Sequence, residues 1–131
     1  MIVADASALL ELVLRTGRAE RVGARTLAAG ETLHAPHLVD VEVLQTLRRL
    51  LRQGQVDGES AEHALGDFCD LLIERHAHVD LLPRIWQLRE SVSAYDASYI
   101  ALAEALDAPL VTCDSKLARS HGHSAEIELI K

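Results

Sequence analysis

Short apolar runs alternate with longer segments of helical periodicity along the whole chain. "MIVA" has the pattern of a buried strand, and "SALLELVLRTG" that of a helix ending at Gly17. "RAERVGARTLAAG" predicts a second helix stopped by Gly30, and "ETLHA" a second strand ending at Pro36. "HLVDVEVLQTLRRLLRQG" predicts a long helix closed by Gly54. "DGESAEHALGDFCDLLIERH" follows, with Ala61, Leu65, Phe68 and Leu72 at helical spacing. "HVDLLP" is then expected as the third strand, "RIWQLRESV" as a short helix and "SVSAYDASYIALAEAL" as a further helix. "APLVTCD" predicts a fourth strand, "SKLARSHG" a short helix and "AEIELI" a last strand. Apolar strands alternating with helices argue for an α/β fold, a parallel sheet with helices on both faces. Such sheets bind ligands beyond the carboxyl ends of their strands.

A chain of 131 residues that is 49% hydrophobic suits a single domain with one core, and 3% aromatics leave that core to Leu, Val, Ile and Ala. No apolar run approaches the roughly 20 residues of a membrane span, and the start lacks the basic region and cleavage site of a signal peptide. Cys69 and Cys113 form no disulfide framework, so free thiols in a cytoplasmic protein are expected. The net charge of −7 has the wrong sign for nonspecific nucleic-acid binding, although Arg15, Arg18, Arg21 and Arg25 cluster, as do Arg48, Arg49 and Arg52.

Four acids change this picture. Asp5 follows "IVA" and Asp114 follows "LVTC", each at a junction from strand to helix. Asp96 stands in the first turn of an apolar helix, on one face with Ile100 and Ala103. Glu42 lies shortly after "HAP", on a stripe with Gln45, Arg49 and Arg52. Each has a local explanation: Asp5 and Asp114 as helix N-caps, Ser93-x-x-Asp96 as a capping box, Glu42 as part of a solvated face. Two strands of a parallel sheet, however, present their carboxyl ends at one edge, where an entering helix can add a third acid.

In their order, these motifs resemble the PIN domain family, in particular the VapC-like toxin ribonucleases. "VADASALLELV" is similar to the family's opening strand-Asp-x-Ser-x-Leu pattern, and "HAPHLVDVEVLQTLRRL" to its Pro-preceded helix with the second acid. "SAYDASYIALAEALDAPLVTCDSKLA" is similar to its Tyr-Asp-Ala-x-Tyr helix and Thr-x-Asp strand end. The resemblance implies a single PIN-like domain over residues 1–131, with a sheet of about five strands whose first and fourth are neighbours. It implies an endoribonuclease in which Asp5, Glu42, Asp96 and Asp114 bind Mg²⁺, or Mn²⁺ in its place, and carry the catalysis. Ser7 and Thr112 sit in the matching motifs as hydroxyl neighbours, placed for the carboxylates, their waters or the substrate. A small antitoxin that covers the pocket and a homodimer are the implied partners.

The chemistry agrees with that implication. Two carboxylates about 4 Å apart repel by about 4 kcal/mol at an effective dielectric near 20. Converging acids therefore take up protons, stay apart or bind a cation, and Mg²⁺ prefers oxygen ligands. Affinity for an RNA polyanion must then come from the rim, where Arg49, Arg52 and Lys116 are candidates. Tyr95, Tyr99 and Trp86 are expected in the core or an interface. The competing reading is a noncatalytic PIN-like domain or a receiver-like signalling module. A receiver needs paired acids after its first strand, whereas Asp5 stands alone, and Asp80 lies inside "HVDLLP" rather than at its end. The "HAH" at 76–78 and "HGH" at 121–123 offer two ligands each, too few for a zinc site. His34 and His37, flanking Pro36, are assigned no role, and Cys113 is expected as a small core residue.

Overall fold

Five short strands, all parallel, form one sheet in the order β3-β2-β1-β4-β5. They are β1 (Ile2–Ala4), β2 (Leu33–Pro36), β3 (Ile73–His76), β4 (Leu110–Thr112) and β5 (Ile127–Leu129) in a computed structural model that describes all 131 residues. The helices are α1 (Ala6–Val13), α2 (Ala19–Thr26), α3 (Val39–Arg52), α4 (Gly58–Asp70), α5 (Leu82–Gln87), α6 (Ala94–Leu106) and α7 (Ser115–Ala118). The chain runs outward from β1 through β2 to β3, then returns to lay β4 against the other side of β1. Strand order therefore reverses between β1 and β4, the place where an open α/β sheet forms a crevice. A receiver-type sheet has the order 2-1-3-4-5, so this topology excludes the receiver-like alternative.

Alternation along β1 sends Ile2 and Val3 to opposite faces. Val3 and Leu110 belong to the larger apolar cluster, with Tyr99, Ile100 and Leu102 of α6 and Leu9 and Val13 of α1. Ile2 and Val111 join Ala8 and Val22 in a smaller cluster. In α6 every residue from Ala97 to Ala103 is buried, which is why that segment lacks the polar face of a surface helix. Ser93 caps α6, its Oγ accepting from the Asp96 amide at 3.2 Å. The helix ends at Asp107, whose φ of 49° is left-handed. No helix is long and apolar enough to cross a membrane.

Two expectations need correction. The third strand is Ile73–His76, not "HVDLLP", and the helix expected to run through His76 stops at Asp70. Leu71 turns extended, with ψ of 134°, and the next residues pair with Leu33–Pro36. An edge strand need not be apolar, and here Arg75 makes a forked pair with Asp40 at 2.7–2.9 Å. "HVDLLP" instead forms a 3-10 turn, Val79–Leu81, with Pro83 in the first turn of α5, a position that needs no amide proton. Of the three aromatics expected in the core or an interface, Tyr99 is buried in the core, whereas Tyr95 and Trp86 are 65% and 67% exposed on the single chain.

Candidate functional site

Asp5 stands where β1 gives way to α1 and is buried. Its Oδ1 accepts from the Ala8 amide at 3.0 Å and from Ser7 Oγ at 2.6 Å, and its Oδ2 from Thr112 Oγ1 at 2.5 Å. The capping explanation is therefore correct, and it accounts for one of three bonds. Both hydroxyl protons are committed to Asp5. The hydroxyl oxygens in turn accept backbone amides from the β4–α7 junction: Ser7 Oγ that of Cys113 and Thr112 Oγ1 that of Asp114, both at 3.0 Å. A polar bridge thus ties the ends of β1 and β4 together. Asp114 caps α7 with Oδ1 on the Lys116 amide at 2.8 Å.

Glu42, in the first turn of α3, accepts from the Tyr99 hydroxyl at 2.6 Å. Asp96 gives its amide to Ser93, and its carboxylate carries no hydrogen bond from the chain. Burial is the main reason that the carboxyls of Asp5, Glu42 and Asp96 are all pushed above the usual carboxylate range. The acids add to one another's rise: Asp114 acts on Asp5, Asp96 and Asp5 on Glu42, and Asp114 and Asp5 on Asp96. Ser7, Thr112 and Ala8 oppose the rise at Asp5, and Tyr99 opposes it at Glu42. Burial and the bond to Glu42 push Tyr99 far up, so it stays a donor.

Asp5, Glu42, Asp96 and Asp114 line one cavity of about 350 Å³. One of its walls is the α1 face carrying Ser7, Leu10 and Glu11, and the other the α3 face carrying Glu42, Thr46, Arg49 and Leu50. Of the proposed substrate contacts, Ser7 and Arg49 line it. Arg52 and Lys116 are exposed outside the lining. Thr112 is fully buried, outside the lining, with its hydroxyl bonded to Asp5.

Glu11 and Tyr99 are among the lining residues absent from the sequence-derived set. Glu11 is a fifth acid, held by the Thr16 hydroxyl and by Arg18 at 3.7 Å. Its signal was its place one helical turn after Ser7, and that of Tyr99 its place three residues after Asp96 on the same face. On α3 the face toward the cavity runs Glu42, Thr46, Arg49, Leu50 rather than through Gln45, which is exposed.

An all-oxygen donor set whose members raise one another's affinity for protons fits a hard divalent cation. Asp96, with both carboxylate oxygens free of the chain, is the most open of the four. The histidines do not contribute, since none lines this cavity. Cys113 is half-buried and packs against the smaller apolar cluster of Ile2, Ala8, Val22 and Val111.

A model of the PIN domain family matches residues 2–121. The chain is 47% identical to ribonuclease VapC9 of Mycobacterium tuberculosis over 118 residues, which is 90% of this chain and 89% of that one. It is 42% identical to ribonuclease VapC12 of the same species over 130 residues, 99% of each chain. Among solved structures it is similar to PAE2754 from Pyrobaculum aerophilum, with a TM-score of 0.71 and 27% identity over 96% of this chain and 82% of that one.

Proposed function

Because the chain belongs to the PIN domain family, we propose that it is a divalent-metal-dependent endoribonuclease, the toxin of a toxin–antitoxin pair, acting in the cytoplasm. One observation carries this reading. Four carboxylates from four separate elements converge on one cavity at the switch point of the sheet, in a chain closely similar to proteins named ribonucleases. Local capping alone requires no such convergence.

Asp5, Glu42, Asp96 and Asp114 would hold Mg²⁺, with Mn²⁺ able to substitute. When bound, the ion supplies an activated water and neutralises charge on the scissile phosphate and its leaving oxygen. The chain's own residues set the stage. Ser7, Thr112 and the Ala8 amide fix the Asp5 carboxylate in one orientation. Tyr99 fixes one oxygen of Glu42 and leaves the other for the cavity. Arg49, on the same wall, supplies the positive charge that an RNA strand needs beside so many acids. Leu10, Leu14 and Leu50 add apolar surface to the cavity lining, suited to a sugar–base unit or to an apolar segment of a small antitoxin. Exposed Val41, Leu44 and Leu51 on α3 support further protein contacts, including a homodimer.

The test is cleavage of structured RNA by antitoxin-free protein in Mg²⁺, in Mn²⁺ and in EDTA, beside Asp96→Asn purified identically. Cleavage that needs metal and disappears in the variant is expected. Equal cleavage by both proteins would reject Asp96 as a site acid. Absence of both cleavage and metal binding would reject the enzyme.

A further inference from the structure

None of the residues at the β2–β3 edge of the sheet lines the acidic cavity, yet three metal-ligating side chains meet there. His34 and Glu74 are partners in register, and His76 stands two residues further along β3, so all three project from one face. His34 Nδ1 lies 2.8 Å from His76 Nε2 and 3.6 Å from Glu74 Oε2. The three ligand atoms all fall within 4.8 Å of one another. We infer that His34, Glu74 and His76 form a site for a transition-metal cation of the Zn²⁺ type, separate from the acidic cavity and independent of the nuclease reading.

The donor set selects the ion. Two imidazoles and a carboxylate suit Zn²⁺ or Co²⁺, whereas Mg²⁺ and Ca²⁺ prefer oxygen. Tetrahedral bonds of about 2.0–2.1 Å put neighbouring donor atoms roughly 3.3 Å apart, a spacing that the observed 2.8 and 3.6 Å bracket. Only one proton fits between His34 Nδ1 and His76 Nε2. A cation in its place engages both lone pairs and releases that proton.

The surroundings favour the ligand form of His34. Its Nε2 lies 2.8 Å from Thr32 Oγ1, which can accept the outer N–H and so leave Nδ1 as the lone pair that faces His76. His34 is buried, only 3% exposed. The Glu74 side chain, 66% exposed, gives the ion a route in and leaves a fourth position for water. A plain hydrogen bond between two histidines would satisfy His34 without any carboxylate turned toward it. A metal here would clip edge strand β3 to β2 at His34, three residues before His37, where the chain leaves β2 toward α3 and Glu42.

The test is titration of the full chain with Co²⁺, read by the visible absorption of tetrahedral Co²⁺, in excess Mg²⁺ so that the carboxylate cavity is competed. Wild type is expected to take up one equivalent, displaced by Zn²⁺. His76→Gln and Glu74→Gln, each of which removes a ligand, should weaken binding by more than the roughly 10-fold that loss of an outer partner costs. Asp96→Asn should bind Co²⁺ like wild type while losing cleavage, which separates this site from the nuclease. Should His76→Gln fail to fold, the exposed Glu74→Gln decides. Absence of tetrahedral bands in wild type, or bands that persist in both variants, would overturn the proposal.

Discussion

The Tyr99 hydroxyl donates to Glu42 Oε1 at 2.6 Å and thereby joins α6 to α3 inside the acidic cavity. Loss of this proton leaves Glu42 free to rotate and removes the bond that opposes the rise of its pKa. Tyr99→Phe is therefore expected to fold, to be destabilised by about 1 kcal/mol, and to need roughly 10- to 100-fold more Mg²⁺ for half-maximal cleavage. A Mg²⁺ titration of RNA cleavage checks this. An unchanged titration would reduce Tyr99 to a packing residue.

Asp96 is raised by burial and by Asp114 and Asp5. A carboxyl whose folded-state pKa lies above its unfolded value costs stability as pH rises through that interval. Asp96→Asn should therefore melt at a higher temperature than wild type in EDTA at pH 7. The rise in melting temperature that Mg²⁺ confers on wild type should be absent from the variant. Thermal melts of both proteins with and without the ion read both effects.

Thr112 donates to Asp5 and accepts from the Asp114 amide with no exposure to solvent. Thr112→Val keeps the shape and strands both partners, so a loss of about 2–3 kcal/mol is expected in urea unfolding. Thr112→Ser should recover most of it. Equal loss in both variants would assign the effect to packing.

Glu104 receives Arg84 through two bonds at 2.8 and 2.9 Å, and Ser124 through its amide and hydroxyl at 3.0 Å. Chiefly through Arg84, its carboxyl is lowered to about 2. The folded-state value lies below the unfolded one, so the contribution is complete above about pH 4.5 and is lost as pH falls toward 2. With Arg84 partly open to solvent, Glu104→Gln should cost about 2 kcal/mol at pH 7. The cost should fall steadily below pH 4.5 and be small only near pH 2, as measured by denaturation at each pH.

Arg49 lines the cavity and Arg52 does not. Arg49→Ala should weaken RNA binding and lower the slope of log affinity against log salt by about 1, with the metal requirement unchanged. Arg52→Ala serves as the control, with a smaller effect on both.

Legibility in the sequence followed burial. Strands β1 and β4 are central, apolar and flanked by acids, and their adjacency brings Asp5 and Asp114 to the same edge, as the resemblance implied. The edge strand β3 was not legible, because "IERH" is half polar and its partner is Leu33–Pro36, far off in sequence. Thr112 belongs to a recognisable motif, but its role depends on where Asp5 points, which no spacing reveals. By sequence alone "HAH" supplies too few ligands and His34 has no assigned role, whereas pairing of β2 with β3 brings His34 and His76 together.

The bridge from Asp5 to Thr112 closes a separation of 107 residues. During synthesis, β1 emerges first and has only β2 to pair with until β4 has been made. The acidic centre is thus a late product of folding rather than an early one. A chain stalled between residues 42 and 110 would carry Asp5 and Glu42 but no enclosing β4, and the four-acid cavity would be unformed for as long as translation continued.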